Sequence, residues 1–148
     1  MDATRIHLFI THLPLFGLFL GFFVLLFGLL RKDKGVKVVA LAMIFVAIAG
    51  GLIASQTGES AEDRVESIAG VSHDAVELHE ESAETTMAFL AVLGVLSAVG
   101  LYMEIKNKRY AKQMLVMVLA FSACAFYFVA RTAMQGGQIR HTEISNQR

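Results

Sequence analysis

The 148-residue chain holds one cysteine, one proline and no tryptophan. The single thiol, Cys124, excludes an intrachain disulfide and lies in the middle of an apolar run, where packing accounts for it. Charged residues make up only 18% of the chain, with Lys and Arg cancelling Asp and Glu. No glycine-rich phosphate loop occurs, and no nucleophile stands beside a candidate base. The nearest approach to a HExxH zinc motif is His79-Glu80-Glu81, but Ala83 stands where the second histidine belongs. Nothing in the sequence marks it as an enzyme. Nucleic acid is not an expected partner either, because membrane topology accounts for the basic residues.

What the chain does have is hydrophobic residues, 55% of the total and gathered into blocks. The runs 13–30, 38–54, 87–103 and 113–130 contain no charged side chain. A helix needs roughly 20 residues to cross about 30 Å of hydrocarbon. Small or neutral neighbours extend each run to that length. The first run should be a permanent span rather than a cleaved leader, since its basic cluster RKDK follows it and no A-x-A-like site is visible. The expected fold is therefore all-α: a single-domain, integral membrane, antiparallel four-helix bundle over 1–148. Its helices should span about 8–31, 36–56, 73–106 and 111–134.

Orientation follows from charge. The connections RKDKGVK and EIKNKRYAK share one side and hold eight Lys/Arg residues, from Arg31 to Lys112, against Asp33 and Glu104. Most of the acid lies on the other side. Positive loops stay cytoplasmic, so both termini and the 55–86 connection should face the periplasm of a bacterial inner membrane. Gly17 and Gly21 form a small-xxx-small pair on which helices can approach closely.

Under this topology all five histidines, His7, His12, His73, His79 and His141, share the outer side with many carboxylates. Imidazoles and carboxylates above a four-helix bundle are what a metal or haem site needs. In SHDAVELHEESAETTMAFL, His73, Glu77, Glu80 and Glu84 form one polar stripe. His79 falls on the face of Ala75, Val76, Ala83, Thr86, Met87 and Leu90, which should point inward. His12 precedes Leu13-Pro14, and proline suits a first helical turn or a bend there. His7 lies five residues earlier, about 140° round the helix from His12. His12 and His79, on diagonal helices, are the expected main ligands, with His7 and His141 in support.

A haem b clamped by His12 and His79 would be six-coordinate and suited to electron transfer. It would need a helix tilt or an off-centre haem, because His79 starts about eight residues before its apolar core. A transition-metal ion held by His7, His12, His79, His141 and Glu59 tolerates that mismatch better. Arg131 stands at the outer boundary of the fourth helix, where a cation either snorkels or, like Arg140, meets a haem propionate or Glu59. In GGQIRH, Gly136 or Gly137 should end that helix in a left-handed cap, with His141 folding back over the bundle mouth.

The run HLFITHLPLFGLFLGFF resembles a family of uncharacterised bacterial four-helix inner-membrane proteins. Their first helix opens with paired histidines and a proline, and a histidine begins their third. His12, Pro14 and His79 are the matching positions, and the likeness covers most of the first three helices but not GGQIRHTEI. It implies haem binding or electron transfer beside cytochrome c-type or other respiratory-complex partners. The expected function is a membrane redox or metal-binding module. The alternative is a cofactor-free accessory subunit that packs through its glycine faces, in a larger complex or as a homo-oligomer. A transporter fits least, because no ionisable side chain lies mid-span.

Overall fold

The computed structural model describes residues 3–59 and 73–140, and all of its regular structure is helical. The helices are α1 (Ala3–Ile10), α2 (His12–Arg31), α3 (Lys34–Glu59), α4 (His73–Ile105) and α5 (Ala111–Arg140). Helices α1 and α2 form one span interrupted at Thr11. Pro14 accounts for that break: it has no N–H for the Ile10 carbonyl, and its ring crowds the preceding turn. The four spans are long and apolar enough to cross a membrane.

Short connections dictate antiparallel neighbours. Helix α2 packs on α3, α3 on α4, α4 on α5, and α5 back on α2, which leaves α2 diagonal to α4. Leu18 and Leu25, Ala40, Leu41, Ile44 and Ala47, Leu90 and Leu93, and Leu115, Val118, Ala125 and Val129 form the buried core. Close approach of α2 and α3 depends on the expected glycine pair. A Cβ on Gly17 would come within 2.8 Å of the Ala47 Cβ, and one on Gly21 within 3.0 Å of Ile44. Phe9, Phe16, Phe23, Phe27 and Leu30 cover the outside and are at least half exposed. A helix apolar on every face suits a hydrocarbon surround.

The two basic connections lie at one end, as the charge pattern requires. After α2 the chain reverses at Lys32 (φ 54°), with Asp33 N–H donating to the Gly28 carbonyl at 3.0 Å. Asp33 then caps α3, its Oδ1 accepting from Val36 N–H at 3.0 Å. After α4, Asn107 takes the same left-handed conformation (φ 51°). Lys34 Nζ joins the two turns by donating to the Ile105 carbonyl at 3.1 Å and to Asn107 Oδ1 at 3.0 Å. Beneath them Lys37 and Glu104 form an ion pair that is nearly closed to solvent.

Helix α5 differs from expectation at its far end. It runs through Gly136 and Gly137 to Arg140, with no left-handed glycine. Gly136 serves side-chain packing instead, whereas Gly137 faces open space.

Candidate functional site

The end opposite the basic turns carries the histidines. His7, on α1, is half-buried, and its Nδ1 donates to the Ala54 carbonyl of α3 at 2.7 Å. A carbonyl only accepts, so Nδ1 carries a proton, which leaves Nε2 as the nitrogen that could ligate a metal. The ring reaches that carbonyl because Gly58 leaves space: a Cβ there would stand 3.0 Å from His7 Cε1.

His79, on α4, repeats the arrangement against α5. A Cβ on Gly136 would stand 3.0 Å from His79 Cε1. The Thr132 backbone lies near the His79 ring, four residues before Gly136 as Ala54 is before Gly58, but makes no hydrogen bond to it like that of Ala54 to His7. The Nδ1 of His79 is buried and has no hydrogen-bond partner. Each hairpin thus supplies one imidazole from its first span, seated on a glycine of its second. The two rings meet with centroids 6.5 Å apart and planes at 88°.

His12 does not join them. It is exposed, its Nδ1 bonded to the Leu8 carbonyl of its own helix at 3.0 Å and its ring stacked on Phe16 at 6.3 Å. The wheel explains this: with His7 turned inward, a residue about 140° away must face out. His7, and not His12, therefore lies beside His79. The remaining assignments behave as their faces demand. His73, Glu77, Glu80 and Glu84 are exposed, while Val76, Thr86 and Leu90 are buried.

Arg131 is exposed and lines a recess between α4 and α5. Glu59 and Arg140 are the last residues of α3 and α5, with their side chains outside the described part, and His141 lies outside the described residues altogether. Among the described residues no three His, Cys, Asp or Glu side chains converge on one point. The brought-together donors are the two imidazoles.

Sequence reasoning missed Ala54, Gly58, Thr132 and Gly136. The available signal was positional: each glycine follows an apolar run at the height of a histidine on the preceding span. Compared with family models, with curated proteins and with solved structures, the chain matches none.

Proposed function

We propose that the chain is a multi-pass membrane module whose His7 and His79 clamp a haem b iron and serve electron transfer. The observation that carries this reading is the pair of imidazoles 6.5 Å apart from diagonal corners of the bundle. Two metal–nitrogen bonds of about 2 Å on opposite sides of one ion, plus roughly 1 Å to each ring centre, span about that distance. The carbonyl hydrogen bond on His7 adds support, since ligating histidines fix their tautomer through such a contact. His7 and His79 would hold the group between them, and it would supply one-electron exchange there.

A transition-metal ion is the second reading. The direct seating of both rings on glycine and the unpartnered Nδ1 of His79 favour it. The charge split of the connections supports an orientation with the basic turns in the cytoplasm and the histidines, with both termini, on the periplasmic side. A partner approaching from that side would be a cytochrome or another respiratory-complex subunit.

The test is an optical spectrum of detergent-purified protein, oxidised and then dithionite-reduced, with metal analysis of the same sample. A sharp reduced α-band supports haem. Stoichiometric metal without the band supports the ion. Intact protein that is colourless and metal-free overturns both and leaves the accessory-subunit reading.

A further inference from the structure

Beside the imidazole pair, on the outer surface of α4 and α5, lies a recess of about 100 Å³. Leu78, Glu81, Ser82 and Thr85 line it from α4, and Phe128, Arg131 and Thr132 from α5. Its wall is firmly built. Thr132 Oγ1 donates to the Ser82 carbonyl at 3.1 Å and lies 2.8 Å from Thr86 Oγ1. On the side nearer the bundle centre, Phe128 stacks on Phe89 with centroids 4.1 Å apart.

Arg131, Glu81 and the hydroxyls of Ser82, Thr85 and Thr132 form its polar lining, with Leu78 at the outer rim and the Phe128 ring toward the apolar core. Arg131 directly follows the uncharged run 113–130, at the depth where hydrocarbon gives way to head groups.

We infer that this recess is a binding site for a zwitterionic phospholipid head group bearing a primary ammonium, a phosphoethanolamine. The phosphate takes the Arg131 guanidinium and the hydroxyls of Ser82 and Thr85, because charge-assisted donors suit its oxygens. The ammonium donates to the Glu81 carboxylate. The acyl chains leave over Phe128, down the bundle surface. An anionic head group without the ammonium leaves Glu81 opposed to like charge. A trimethylammonium has no N–H to give it.

The inference rests on the membrane part of the reading above and not on haem or metal. Recovery of the protein in the membrane fraction is therefore checked first, and its absence there overturns both. The protein is then purified in detergent and offered equal amounts of phosphatidylethanolamine, phosphatidylglycerol and phosphatidylcholine, and retained lipid is read by native mass spectrometry. Phosphatidylethanolamine should be retained several-fold over each of the others. Glu81→Gln should abolish that preference, and Arg131→Gln should lower retention of all three lipids. Both variants change exposed side chains, and thermal melting verifies their folding. Equal retention of the lipids by the wild type overturns the inference. So does preference for phosphatidylglycerol, or a phosphatidylethanolamine preference that survives both substitutions.

Discussion

The two ends of the bundle treat their polar groups in opposite ways. At the basic end the charged groups have structural work: Lys34 closes the end of α4, Lys37 meets Glu104, and Asp33 caps α3. At the histidine end two imidazoles face each other, and one buried nitrogen is left unsatisfied. Leaving a buried polar atom without a partner costs about 1–3 kcal/mol, so such an atom asks for an explanation. A satisfied network reads as scaffold. An unsatisfied one, seated on two glycines in a repeated arrangement, reads as a site.

The comparison can be broken at the basic end first. Lys37→Ala strands the Glu104 carboxylate in a buried position, which should cost about 3–5 kcal/mol. Thermal melting in detergent should show the loss, and the double substitution Lys37→Leu, Glu104→Leu should recover most of it. Cofactor content per folded molecule should not change in either protein. A drop in occupancy would mean that the two ends are not independent.

At the histidine end the repeat predicts symmetry. Gly58→Leu and Gly136→Leu each drive a side chain into an imidazole now in contact with the glycine. Each should lower cofactor affinity by about tenfold or more, as loss of outer-shell support does, and by similar factors. Titration of the apoprotein measures both. An effect confined to one hairpin would break the equivalence.

Smaller effects sharpen the contrast. Asp33→Ala removes the α3 cap and should cost about 1 kcal/mol of thermal stability with no change in cofactor content. His12→Ala removes an exposed ring stacked on Phe16 and should leave both stability and cofactor content near the wild-type values.

The fold was legible because blocks of apolar residues and loop charge are long-range, additive signals. Four runs of hydrocarbon length and two basic connections fixed the number of spans and which turns lie together. The inward face of α4 was legible too, from the spacing of Val76, Thr86 and Leu90. The partner of His79 was harder to read. Choosing between His7 and His12 requires knowing how the first span is rotated, and Pro14 interrupts that span at Thr11 between them. Thr11 keeps helical dihedrals, so the two rings stay about 140° apart, but which of them turns inward depends on packing that a helix apolar on every face does not reveal. The glycine seats were hidden for a different reason. Gly136-Gly137 looks like a helix end in one dimension, and only the imidazole of His79 packed on it gives a glycine there another use.

The most direct test of the histidine pair is ligand substitution read spectroscopically, with His7→Ala, His79→Ala and His12→Ala purified in parallel with the wild type. The account predicts that the cofactor spectrum is lost or changed to a weaker-ligand form in the first two, and unchanged in His12→Ala. A spectrum that survives both His7→Ala and His79→Ala, or one that disappears with His12→Ala, would contradict it.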